Sequence, residues 1–156
     1  MWEPFTENTS YSIMNSQREA DSLGNNYIGT EHFLLGIISM YEKTNPGVLG
    51  YLGIDKAKVI KDVEFICGKG AHSCSEMVLT PRARHIIELS FEEASNLRHK
   101  HISPEHILLA IMKDNAGVAA RILDNLGVTY TKIMGLFDVN LEVNFKSNQK
   151  GIERSL

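Results

Sequence analysis

Residues 29–36 read GTEHFLLG and residues 103–110 read SPEHILLA. Both octets hold Glu-His-x-Leu-Leu in register, 74 positions apart, behind small or turn-forming residues. Recurrence at a fixed offset marks a duplicated structural unit. Sliding the chain against itself by 74 aligns residues 5–66 with 79–140 without a gap. Thr6 falls on Thr80, Ile13 on Ile87, and Glu19-Ala20 on Glu93-Ala94. Farther on, Ile28 meets Ile102, Leu34-Leu35 meets Leu108-Leu109, and Leu52-Gly53 meets Leu126-Gly127. The organisation that follows is a first repeat at 1–67, a polar, Gly-containing linker at 68–78 and a second repeat at 79–140. A polar tail at 141–156 is expected to be flexible, and the whole to form one compact domain.

Each repeat reads as helices. In the second, Ala83, Ile86, Ile87, Ser90, Ala94 and Leu97 recur at three- and four-residue steps, the spacing of one helical face. Thr80 suits an N-cap and Pro81 the first helical position. Ser103, Pro104 and Glu105 open a second helix in the same manner. GVAARILDNLGV at 117–128 gives a short third helix ended by Gly127, and Thr129 caps a fourth. The first repeat follows less cleanly. Its first helix is rich in Ser, Asn and Thr, and PGVLGYLG at 46–53 holds three glycines, so this half is expected to be the looser. Strand-like alternation of polarity is absent. The fold class is all-α, with eight helices as two pseudo-symmetric four-helix repeats.

Composition narrows the function. Of 156 residues, 43% are hydrophobic and 22% charged, ordinary values for a chain that folds. A net charge of −3 speaks against nucleic acid as a partner. No apolar run approaches the ~20 residues of a membrane span, and MWEPFTENTS lacks a secretory pattern. Cys67 and Cys74 make no disulfide framework, so a soluble cytoplasmic protein is expected. No Ser/His/Asp or Cys/His constellation is visible, which points away from an enzyme and from any cofactor. His32 and His106 lack the H-E-x-x-H spacing, and Cys67, His72 and Cys74 fit no zinc finger, so no metal is expected.

FTE at 5–7, NNYIGTEHFLLGII at 25–38, LTPRAR at 79–84, EHILLAI at 105–111 and GVAARILDNLGV at 117–128 are distinctive together. They resemble the N-terminal repeat domain of Clp ATPases, of the ClpC type, over about residues 2–140. The resemblance implies a non-catalytic double repeat that recruits substrate and adaptor proteins to an unfolding ATPase ring. The phosphate loop of that ring, G-x-x-x-x-G-K-[ST], has no match here. The tail does not resemble the entry to the ATPase module either, which favours a free-standing protein.

The same resemblance implies pockets for phosphorylated arginine, pairing Thr6 with Glu31 and Thr80 with Glu105. A guanidinium asks for a carboxylate, and a phosphoryl group asks for hydroxyls and the free N–H groups of a helix start. Those residues also read simply as helix caps and dipole partners, worth ~0.3–1 kcal/mol. Copy two carries Ser103-Pro104 where the family has Gly-Thr, and Arg82 faces Asn8 at the matching position, so the two sites are expected to be unequal. Trp2, Phe5 and Leu79, with Arg82, form the expected contact surface for partners. Phe5 and Leu79 also suit a hydrophobic staple, and Trp2 an exposed anchor. The expected partners are substrate proteins, adaptors and components of a Clp ATPase or protease. The alternative is an accessory subunit that docks on such a complex without touching substrate.

Overall fold

The computed structural model describes residues 4–70 and 77–138. Trp2, His72, Cys74 and the tail at 141–156 lie outside them. In chain order come α1 (Glu7–Ser22), β1 (Tyr27–Ile28), α2 (Thr30–Thr44), α3 (Gly47–Leu52) and α4 (Lys56–Cys67). The second half supplies β2 (Val78–Leu79), α5 (Pro81–Asn96), α6 (Pro104–Asp114), α7 (Val118–Asn125) and α8 (Tyr130–Met134). A 3-10 turn, Gly135–Phe137, follows α8. Among the described residues there are thus eight α-helices, four in each half.

The caps explain where the helices begin. Thr6 Oγ1 accepts from the Thr9 N–H at 3.2 Å, and Thr80 Oγ1 accepts from the Ala83 N–H at 3.0 Å. Thr129 does the same for Lys132. The third helices of both halves end in left-handed glycines, Gly53 at φ 75° and Gly127 at φ 79°. Their equivalence under the 74-residue shift carries the duplication down to backbone angles.

Helices α2 and α6 form the centre. Leu34, Leu35, Ile37 and Ile38 on α2, and Ile107, Leu108, Leu109 and Ile111 on α6, are at most 1% exposed. Fully burying a Leu or Ile side chain stabilises by roughly 1.5–3 kcal/mol, so these two hydrophobic helices anchor the core. The remaining helices lay one apolar face each onto them, Val59 and Val63 from α4 and Ile122 and Leu123 from α7 among them.

The expectation of a looser first half is not what α1 shows. Thr9, Ser12 and Ser16 are buried in it, at positions where α5 buries Ala83, Ile86 and Ser90. Ser12 and Ser16 donate their hydroxyls to the carbonyls of Asn8 and Ser12, both at 2.8 Å, so the burial leaves no orphaned polar group. Their small size lets α1 approach α2 closely at Gly36. A Cβ there would lie 2.2 Å from the Ser12 carbonyl oxygen. Poor helix formers serve here as spacers.

Two very short strands depart from the all-helical expectation. Tyr27 pairs with Val78 and Ile28 with Leu79, in parallel, and an isolated parallel bridge joins Phe5 to Ile102. Val78 of the expected linker is therefore part of a strand. Two residues are too few for alternation to be read from sequence. These pairs are symmetry mates, since Phe5 is equivalent to Leu79 and Ile28 to Ile102. Each half sends its lead-in segment to the α–α loop of the other half. The halves are cross-laced, and this placement builds the surface described next.

Candidate functional site

The Thr80 N–H donates to the Ile28 carbonyl at 3.0 Å, and the Thr6 N–H donates to the Ile102 carbonyl at 3.1 Å. The Thr9 hydroxyl adds a second donation to Ile102, at 2.6 Å. Thr80 thus sits against the turn that leads to Glu31, and Thr6 against the turn that leads to Glu105. This differs from the expected same-half pairing, since each threonine lies against the turn that leads to the other half's glutamate. The cause is the cross-lacing, which exchanges the two lead-ins.

All four of these residues have internal partners. Both threonine hydroxyls cap their own helices, and Thr6 Oγ1 also lies 2.9 Å from the Thr9 hydroxyl. Glu31 is buried at 5% exposure, with its carboxylate folded back over Gly29. The Cys67 thiol donates to Glu31 Oε2 at 3.4 Å. Burial first, then the charge of Glu31 and this hydrogen bond, push the Cys67 thiol up to about 12, so it stays protonated. Glu105 is half-buried and accepts from the Tyr41 hydroxyl. Arg82, the expected contact residue, is paired with Asp114 at 2.6 Å. The signal for these partnerships was not in the motif, because Tyr41, Cys67 and Asp114 sit outside it.

His32 and His106 are both third residues of their helices, as their position predicts. His32 Nδ1 accepts the Gly29 N–H at 2.9 Å, and His106 Nδ1 accepts the Ser103 N–H at 2.8 Å. Each ring takes the role that Glu plays in a capping box. Burial, against the opposing charge of Glu31, pushes His32 down from its ordinary range. Among the described residues no group of three His, Cys, Asp or Glu could hold a metal ion.

The concave surface lies elsewhere. A groove of about 380 Å³ is lined by α1 from Ser10 to Gln17, by Ile87 of α5 and by the lead-in residues Phe5 and Leu79. Its lining includes the symmetry pairs Phe5/Leu79 and Ile13/Ile87, with Met14 and Ile28. Met14 is 55% exposed. Phe5 is steadied by Phe91, ring centroids 5.7 Å apart. Two shallower hollows flank it, one of about 460 Å³ beside Glu7, Tyr11 and Lys43, the other of about 250 Å³ beside Pro81, Arg84 and His85. They are equivalents as well, Tyr11 matching His85 and Glu7 matching Pro81, so the flanks carry different charge. Phe5 and Leu79, expected as contact residues, both line this groove. Ile13, Met14 and Ile87 line it as well and were not singled out from the sequence, although the Ile13/Ile87 match was the available signal.

Comparison with known proteins agrees with the geometry. The family model for the Clp repeat N-terminal domain matches residues 4–126 and again 78–149. Over 132 residues the chain is 42% identical to the negative regulator of genetic competence ClpC/MecB of Bacillus subtilis, covering 85% of this chain and 16% of that protein. It is 43% identical over 134 residues to the chloroplastic chaperone ClpC of Pisum sativum, covering 85% and 14% respectively. The chain therefore spans about a sixth of the curated relatives it matches. Among solved structures, the N-terminal domain of ClpD from Arabidopsis thaliana superposes with a TM-score of 0.69 at 31% identity, covering 85% of this chain and 94% of that one. The Hsp104 N-terminal domain of Candida albicans shares the fold, at a TM-score of 0.64 and 18% identity. Two four-helix repeats, their cross-laced lead-ins and these matches agree that the chain belongs to the Clp repeat N-terminal domain family.

Proposed function

We propose that the chain is a non-enzymatic recognition module that takes up apolar segments of substrate or adaptor proteins for a Clp chaperone or protease. The observation that carries this is the groove between α1 and α5, where Met14 is largely exposed and both symmetry pairs present apolar surface. An open apolar hollow of this size suits the side chains of an unfolded or extended partner. The test is calorimetric titration with unfolded β-casein, comparing the parent with Met14→Glu. A carboxylate on the groove floor should weaken binding at least tenfold while the circular dichroism spectrum stays unchanged. Equal affinity of the folded variant would sink the reading.

A second reading is recognition of phosphorylated arginine at the crossed pairs, Thr80 with Glu31 and Thr6 with Glu105. The favouring observation is that all four residues lie at helix starts, with Thr80 between the lining residues Leu79 and Pro81 of one flanking hollow and Thr6 between Phe5 and Glu7 of the other. The caps and the Cys67 and Tyr41 contacts would have to be given up, which weighs against it. A phosphoarginine peptide and its plain-arginine twin, titrated against parent and Glu31→Gln/Glu105→Gln protein, decide the matter. Selective heat that disappears in the double variant supports this reading, and no heat from either peptide removes it.

A further inference from the structure

The buried histidines at the starts of α2 and α6 spend their second nitrogens differently. In the first half His32 Nε2 meets Asn25 Oδ1 at 2.9 Å. In the second, His106 Nε2 meets His99 Nδ1 at 2.8 Å. Asn25 and His99 are equivalent under the 74-residue shift. The Ser103 N–H points at His106 Nδ1, which must therefore hold a lone pair, so the ring hydrogen sits on Nε2 and is donated to His99. His99 Nδ1 in turn must hold a lone pair. A proton there would set two N–H hydrogens between nitrogens 2.8 Å apart, and the contact would break. Asn25 has no such proton to gain.

The pair carries a load. Phe137 rests on both rings, its centroid 4.9 Å from His99 and 5.0 Å from His106. Phe137 belongs to the 3-10 turn that follows the five-residue α8. Its equivalent in the first half is Val63, 1% exposed within the twelve-residue α4. A continuous helix thus secures the end of the first repeat, whereas in the second Leu136, 5% exposed, anchors the turn in the core and Phe137 adds the ring contacts. We infer that His99, His106 and Phe137 form a proton-released clasp, in which charging His99 frees the Phe137 ring from the two histidines while the Asn25 counterpart stays closed.

The surrounding charges are mixed. Glu93 on α5 bears on His106 and favours a proton there. Arg98, Lys100 and His101 flank His99 in its own loop. Asp138 follows Phe137 in the chain. Burial, then His99, push His106 down to about 4, so it is not the ring that charges between pH 7 and 5. His99 is exposed, so its ring is open to solvent protons.

Nuclear magnetic resonance on the whole chain tests this. Ring resonances of His99 give its titration, and cross-relaxation between the Phe137 and His106 rings reports the clasp. From pH 7.5 to 5 that signal should fall to a tenth or less, with the midpoint of His99. In His99→Asn it should persist to pH 5. Ring contacts that survive after His99 has charged would overturn the inference, as would an identical loss in His99→Asn. Should that variant fail to fold, the coincidence or separation of the two midpoints in the parent still decides.

Discussion

His106 stabilises the fold only while it is neutral. Its ring is 1% exposed, accepts the Ser103 N–H and donates to His99, and burial is the leading reason its pKa lies at about 4. An unfolded histidine takes its proton near pH 6.5. Because the folded value is the lower one, the unfolded state binds the proton first as pH falls. The contribution is complete above about pH 6.5 and is lost progressively toward pH 4. A shift of this size corresponds to up to about 3 kcal/mol. Urea unfolding followed between pH 7 and 4.5 should show a fall of that order, smaller in His106→Gln. Stability that is flat or rises over this interval would contradict the assignment. The position of this histidine at the start of a helix was legible in the sequence. Its role was not, because the choice between accepting and donating depends on which nitrogen meets the turn.

At the scale of elements, the two halves keep a function while trading the residues that perform it. Glu19 on α1 receives the Ser39 hydroxyl of α2 at 3.1 Å and lies 3.7 Å from the Lys56 ammonium of α4. Its equivalent, Glu93 on α5, receives the Tyr130 hydroxyl of α8 at 2.7 Å. The Lys113 ammonium of α6 stands 3.0 Å from its other oxygen, a charge contact without an aligned hydrogen bond. Ser39 is equivalent to Lys113, and Lys56 to Tyr130. Hydroxyl and ammonium have changed places between the second and fourth helices, and the carboxylate still ties three helices together. The matching of Glu19 with Glu93 was visible at once, but the exchange of partners left no identity to align. The Ser-rich α1 misled for a related reason. Helix propensity reports on an isolated helix, whereas here small side chains set a contact distance. Gly36→Ala should therefore destabilise by about 1–3 kcal/mol, because a methyl group 2.2 Å from the Ser12 carbonyl oxygen forces α1 away. That loss outweighs the ~1 kcal/mol gained in helix propensity. A urea midpoint that is unchanged or higher would show that α1 yields without cost.

For the whole molecule, duplication and cross-lacing are one design. The repeat predicted two helical units, and the caps and glycine stops fixed most helix ends within a residue. What sequence could not supply was which lead-in lies on which loop, since both arrangements bury the same residues and satisfy the same motif. That ambiguity decided the partners of Thr6 and Thr80. Once crossed, the lead-ins set Phe5 and Leu79 on opposite walls of one groove, and Ile13, Met14 and Ile87 complete it. A single repeat could not form this surface. The flanking hollows differ in charge because Glu7, Tyr11 and Met14 on one side answer to Pro81, His85 and Glu88 on the other.

The most direct measurement is a chemical-shift map of the isotope-labelled chain during titration with unfolded β-casein. The account predicts that the methyl signals of Ile13, Met14, Leu79 and Ile87 move together and saturate at one affinity, while those of α3 and α7 stay in place. Perturbations confined to α3, α4 or α7, or a saturating titration that leaves those four methyl groups unmoved, would contradict it.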